Sequence, residues 1–224
     1  MGATGTQIQS GGMNVTENQR RVENAIRDDD NETVYWLDKD GNKIIKAIGD
    51  HDHVEVDDES EFNHKIEQPI WHGEEIHTTH NHPESTIFSP EDVDSLVELE
   101  NKSLSAVLPK GSEFSAFRLI REQPITDNTL TYNPDTHEFD KAKYWTSKYE
   151  PKMLQIAYYN AYVNVWEPME NAISKIEKDY KYGKTTRAEY MQQIKPYNDK
   201  INKTMIKWLD KNAKDYGFTF IKEK

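Results

Sequence analysis

Cysteine is absent from the 224 residues, which excludes disulfides and thiolate metal ligands together. That fits a cytoplasmic location. Long apolar runs are missing too. Nothing approaches the roughly 20 residues that span a bilayer, and the first residues lack the apolar core of a signal peptide, so no membrane partner is expected. Positive charge is scarce early in the chain. Residues 1–140 hold 11 Lys and Arg against 30 Asp and Glu, a net of -19, which argues against nucleic acid there because phosphate contacts need cations. Residues 141–224 reverse the balance, 17 against 10, a net of +7, an asymmetry that suggests two regions with different work, although a solvated acidic surface is its ordinary reading. Mean hydropathy is low at -0.95. Even so, 7 Phe, 12 Tyr and 5 Trp can bury enough area for a folded core.

Along the chain, Met1 to about residue 15 reads as a flexible tail. Thr16 can cap a short helix to Arg27, with Val22, Ala25 and Ile26 inward. Two β-prone runs, 33–37 and 43–48, flank Asp38-Lys39-Asp40-Gly41-Asn42 and predict a hairpin. Val54-Glu55-Val56 can add a strand, and the acidic stretch 57–68 reads as a loop. A strand is expected over 75–80. A helix opens at Ser89-Pro90-Glu91-Asp92 and runs to about Asn101, and two strands follow within 105–120. Alternating strands and helices place residues 16–121 in an α/β (α+β) unit. After a linker at 122–140, residues 141–224 read as a helical hairpin. Its first helix spans 151–180 and is kinked at Pro168. Its second is capped by Thr186 with Glu189, reaches about Asp215 and is ended by Gly217. A short strand follows at 218–221. The hairpin carries no catalytic signature and can contact a partner protein or a second copy.

Chemistry concentrates in His80-Asn81-His82-Pro83-Glu84-Ser85-Thr86-Ile87-Phe88-Ser89-Pro90-Glu91-Asp92. Residues two apart on a strand face the same side, so His80 and His82 can aim at one point. Asp92 falls in the first turn of a helix, where the dipole favours a carboxylate. Two imidazoles and one carboxylate are a typical catalytic zinc set, with water in the fourth position. Each piece alone has an ordinary counterpart, since His-x-His occurs on exposed strands and Ser-x-x-Asp is a common helix cap. The combination is what points to a metal.

That combination resembles the JAMM (MPN+) metallopeptidase motif: an upstream glutamate, His-x-His, a short loop, then Ser-x-x-Asp. The His-Asn-His-Pro wording is most similar to RadC-like proteins and to JAB-type domains attached to phage head-morphogenesis proteins. The loop from His82 to Ser89 holds six residues where the usual pattern has seven. The resemblance covers about residues 16–121 and implies a JAB/MPN-like mixed sheet with flanking helices. It implies one Zn²⁺ held by His80, His82 and Asp92, a glutamate as general base and later acid, and Ser89 as oxyanion donor. Glu32, which precedes the first hairpin, is the chosen glutamate; Glu23 and Glu55 remain open. His72 and His77 can lie behind the ligands, but both are expected on the surface. Two functions stay in play. One is a zinc metallopeptidase acting on a protein or peptide substrate. The other is a phage-associated structural or interaction module that keeps the fold without the activity.

Overall fold

Asp38 builds the first turn. Its carboxylate accepts from the backbone N–H groups of Asp40 (2.8 Å) and Asn42 (2.9 Å) and from the Asn42 side-chain amide. Gly41 takes the left-handed φ of +80° the reversal needs. A Cβ at Gly41 would stand 2.1 Å from Thr16 Oγ1, so only glycine lets the turn touch the start of the first helix. The structure is a computed structural model describing residues 15–49, 56, 58–122, 132–133, 138–139 and 151–224. The expected tail, most of the expected linker and Glu55 lie outside these residues.

Thr16 caps α1 (Glu17–Ile26), accepting from the Gln19 N–H at 3.1 Å. The Asp38 turn joins β1 (Thr33–Leu37) to β2 (Lys43–Ile48). β3 (His77–Asn81), β4 (Ser103–Val107) and β5 (Ala116–Arg121) follow. β6 (Tyr132–Asn133) and β7 (Glu138–Phe139) form a separate pair, and β8 (Phe218–Glu223) returns to the main sheet. That sheet has six strands in the order β2-β1-β3-β4-β5-β8. β3 and β4 run parallel, while the other neighbours are antiparallel. A parallel pair needs a crossover, and α4 (Pro90–Glu98) supplies it. The fold is α+β.

Pairing register sorts the side chains by face. Val34, Trp36, Thr78, His80, Leu104 and Ala106 share one face. There α4 packs with α5 (Pro151–Trp166), α6 (Glu170–Lys181) and α7 (Arg187–Asn212). One core joins Val93 and Leu96 of α4 to Leu104, Phe117 and Leu119 of the sheet and to Leu154, Ile194, Ile201 and Met205. Residues 151–224 thus share their core with the sheet and supply its sixth strand. The opposite face is covered by α1 through Val22, Ile26, Tyr35 and Leu37. Beside that contact lies a buried ion network. Arg118 forms two bonds to Glu23 (2.6 and 2.8 Å), two to Glu223 (3.0 and 2.8 Å) and one to Ser105 Oγ (2.6 Å).

Three local differences from the sequence reading have physical causes. The acidic stretch 57–68, expected as a loop, is largely helical: Asp58 caps α2 (Glu59–Phe62), which continues as a π-turn (Asn63–Glu67) into α3 (Gln68–Trp71). Phe62, Ile66 and Ile70 recur every fourth residue and bury against Val34 and Trp36, so the acidic residues describe only the outer side. The segment 151–180 is two helices parted by one 3-10 turn, Glu167–Met169, because Pro168 cannot donate to the helical ladder. The second long helix stops at Asn212, and a 3-10 turn, Ala213–Tyr216, carries the chain to Gly217 at φ +81°.

Candidate metal centre

β3 sits inside the sheet with every residue buried, so His80 is held rigidly at its end with a side chain only 2% exposed. His82 follows just beyond the strand, where its backbone N–H still donates to the Val107 carbonyl at 2.8 Å. Its Nδ1 lies 2.8 Å from the Thr86 carbonyl, which accepts the ring N–H and so directs Nε2 into the cavity. Asp92 is placed by the start of α4. Ser89 Oγ accepts from the Asp92 N–H at 3.1 Å, and Asp92 Oδ2 accepts from the Ser89 N–H at 2.7 Å. This reciprocal cap fixes the carboxylate before any ligand arrives.

The groups converge. His80 Nε2 is 2.6 Å from His82 Nε2 and 3.2 Å from Asp92 Oδ1, and His82 Nε2 is 3.3 Å from Asp92 Oδ2. Glu32 Oε1 lies 3.8 Å from His80 Nε2. Each of the four residues offers a ligand atom within 4.8 Å of the others. A tetrahedral ion with bonds of about 2.0–2.1 Å separates its ligands by roughly 3.3 Å. The two imidazole–carboxylate edges match that value, and the imidazole–imidazole edge is shorter because one ring donates to the other. The donor set fits a divalent metal.

Electrostatics point the same way. Burial alone would depress the His82 imidazolium, but the hydrogen bond and charge of Asp92, helped by Glu32 and the Thr86 carbonyl, raise it to about 9. Burial would likewise raise the Asp92 carboxyl, yet His80 and His82 hold it well below the usual carboxylate range. Two carboxylates in one buried pocket demand positive charge, and a proton on an imidazole is what meets that demand when no cation is bound.

Several neighbours keep this arrangement in place, and their roles were not legible in the motif. Asn81, between the two histidines, points to the other face of the sheet. Its Oδ1 accepts from the Thr33 N–H at 2.7 Å, and its Nδ2 donates to the carbonyls of Asp29 (3.2 Å) and Asn31 (3.1 Å). It therefore fastens the segment that carries Glu32. The loop from Pro83 to Phe88 is gripped by the C-terminal helices. Asn202 accepts from the Ile87 N–H (2.7 Å) and donates to the Ser85 carbonyl (2.8 Å). Tyr190 and Asn198 bond Glu84, and Tyr158 donates to the Phe88 carbonyl at 2.6 Å. Ser85 sits at φ +59°, a conformation a non-glycine residue holds only when its surroundings impose it.

Of the other residues singled out in the sequence, Glu23 is buried in the Arg118 network on the opposite face, away from the cluster. His72 is exposed, with Nδ1 2.6 Å from the Gln68 carbonyl. His77, expected on the surface, is buried on the α1 face beside Ser103 Oγ at 2.7 Å, since residue 77 alternates with 80 across the strand. Burial holds His77 down to about 4.

The cluster opens into a cleft of about 760 Å³ lined by both halves of the chain, from Trp36 and Phe62 to Tyr162 and Ile201. No helix among the described residues is long and apolar enough to cross a membrane. Comparison with protein-family models, curated proteins and solved structures gave no match.

Proposed function

We propose that the chain is a zinc-dependent hydrolase of peptide or isopeptide bonds, built on the JAMM (MPN+, JAB-type) plan that its motif resembles. The observation that carries this reading is Glu32, a carboxylate far from His80 in sequence yet 3.8 Å from its Nε2. Three protein ligands leave the fourth zinc position open to water, as in catalytic sites. A second carboxylate beside them is what a general base requires. Nitrogen-rich donors favour zinc over magnesium or calcium, which prefer oxygen.

In this reading His80, His82 and Asp92 hold zinc, which when bound supplies Lewis acidity and a water of pKa near 7. Glu32 takes a proton from the attacking water and returns it to the departing nitrogen as the C–N bond breaks, a role that contributes about 10²–10⁴-fold. Ser89 Oγ already accepts from the Asp92 N–H, so its hydroxyl hydrogen is left to donate to the oxygen on which charge develops. Such a donor is worth on the order of 10²–10³ in rate. The substrate is a protein or peptide that reaches the cluster through the cleft.

The test is Glu32→Gln. Zinc content and melting temperature stay as in wild type, and chelator-sensitive cleavage falls by about a hundredfold or more. Full cleavage by this variant refutes the role of Glu32, and a peptide and isopeptide screen without chelator-sensitive cleavage refutes the hydrolase. One observation favours the non-enzymatic, phage-associated module instead. Met153, Ile156 and Tyr159 expose an apolar stripe on α5, at 44%, 53% and 53%, and that reading requires a stable complex through this stripe.

A further inference from the structure

Two buried polar atoms beside the cluster have nothing to bond. Trp36 Nε1 and Thr78 Oγ1 find no hydrogen-bond partner among the described residues, although the residues are only 6% and 4% exposed. Both residues line the cleft, with the two atoms themselves covered, and they are register partners on β1 and β3. Buried donors and acceptors are almost always satisfied, so a pair of orphans in a cavity wall marks a place where something else supplies the partners.

Their position relative to the metal cluster follows from the pairing. Val34 faces His80, and Trp36 faces Thr78, one same-face step further along. That step is about 7 Å, or two residues of extended chain. The surrounding wall is apolar, with Val34 and Phe62 flanking Trp36, and the Phe62 ring set edge-on to the indole at 5.0 Å. On the other side of the cluster the lining changes character. Glu84, Glu91 and Glu177 join Glu32 and Asp92, and among the described residues the cleft lining includes neither Lys nor Arg. Burial first, and then the charges of Glu91, Asp92, Glu84 and Glu177, hold the Tyr162 phenol up at about 12.

We propose that Trp36 and Thr78 form a substrate subsite beside the metal cluster. It takes an extended peptide with an apolar side chain about two residues to one side of the reacting bond and a Lys or Arg on the other. On binding, a small side-chain rotation uncovers the indole N–H, which donates to a backbone carbonyl of that peptide. The Thr78 hydroxyl bonds a neighbouring backbone amide, and the apolar side chain covers Trp36 and Phe62. The acidic wall receives the cationic side chain and disfavours an acidic one. The proposal rests on the hydrolase reading for its reacting bond but not for its binding, so the two can fail separately.

The experiment uses the full chain carrying Glu32→Gln and loaded with zinc, so that no probe is consumed. The indole N–H resonance of Trp36, identified by its loss in Trp36→Phe, is followed during titration with acetyl-Leu-Ala-Ala-Lys-amide. Gly-for-Leu and Glu-for-Lys counterparts are titrated alongside. The expected result is a saturable shift of that resonance with the first peptide and weaker binding of both counterparts. Trp36→Phe keeps an aromatic ring but gives up part of the indole's area with its N–H, and Thr78→Val keeps the shape. Each should weaken binding by calorimetry about three- to tenfold, the worth of one hydrogen bond, with melting temperature confirming that both fold. An indole resonance that does not move, or equal binding of the Gly counterpart, overturns the subsite. Wild-type protein given the same peptide reports the chemistry separately. Binding without chelator-sensitive cleavage counts against the hydrolase and leaves the subsite standing; cleavage with a silent indole does the reverse.

Discussion

Asn81→Ala offers a measurement that needs no substrate. The side chain is fully buried, and it satisfies one N–H and two carbonyls of the segment 29–33. Alanine leaves the buried Thr33 N–H without a partner, which costs about 1–3 kcal/mol, and removes two further bonds of about 0.5–1.5 kcal/mol each. A loss near 3 kcal/mol follows, since the two carbonyls recover part of their bonding from water. For a chain of this size, 1 kcal/mol moves the melting temperature by roughly 2–4 °C, so the midpoint should drop by about 6–12 °C. None of His80, His82 or Asp92 is anchored by the Asn81 side chain. The variant should therefore still bind one zinc per chain, and added zinc should still raise its midpoint. Calorimetry with and without zinc, together with metal analysis, reads both halves. A midpoint within 2 °C of wild type would show that Asn81 does not hold the Glu32 segment, and loss of zinc would show that it supports the ligands instead.

Metal analysis should find close to one zinc per wild-type chain and little after His80→Ala, His82→Ala or Asp92→Ala; unchanged content in all three would refute the ligand assignment. Glu23→Gln removes a charge that Arg118 holds in a bidentate grip at 2.6 and 2.8 Å. Breaking one side of a buried pair costs about 3–5 kcal/mol. Urea unfolding should show a loss near the lower end, because Glu223 stays, and a change under 1 kcal/mol would be incompatible with this network. His77 supplies a pH test. Its folded value near 4 lies below the unfolded value of 6.5, so below pH 6.5 the unfolded chain takes up a proton that the folded one refuses. The His77 contribution to stability should be flat above about pH 7 and fall towards pH 4 by up to about 3 kcal/mol. His77→Asn should remove that slope, and identical slopes in the two proteins would refute the reasoning.

What could be read in the sequence was what depends on neighbours. The Asp-Gly turn fixed the first hairpin, Thr186 with Glu189 fixed the start of α7, and Ser89 with Asp92 fixed the start of α4. The two histidines followed from strand alternation. What escaped was set by distant partners. The stripe Phe62, Ile66 and Ile70 was masked by the acids around it, and it makes sense only against Trp36. Asn81 looked like a spacer because its partners come from the Glu32 segment on the neighbouring strand. Where the C-terminal helices pack was not legible from charge and periodicity, which report on a helix surface and not on what it lies against. The strand at 218–221 was legible as a strand, but its extension to Glu223 and its place beside β5 were not.

The grip of α7 on the Pro83–Phe88 loop sets an order of events during synthesis. The histidines leave the ribosome more than a hundred residues before Asn198 and Asn202, which bond that loop across sequence separations of 114 to 117. At about 5–20 residues per second the delay is on the order of ten seconds. Throughout it the nascent chain carries every residue of the candidate metal cluster but lacks the helix that pins their loop. Chains cut short in that interval would carry the whole His80–Asp92 motif without the grip, so the motif alone, in a fragment, is a poor guide to a finished site.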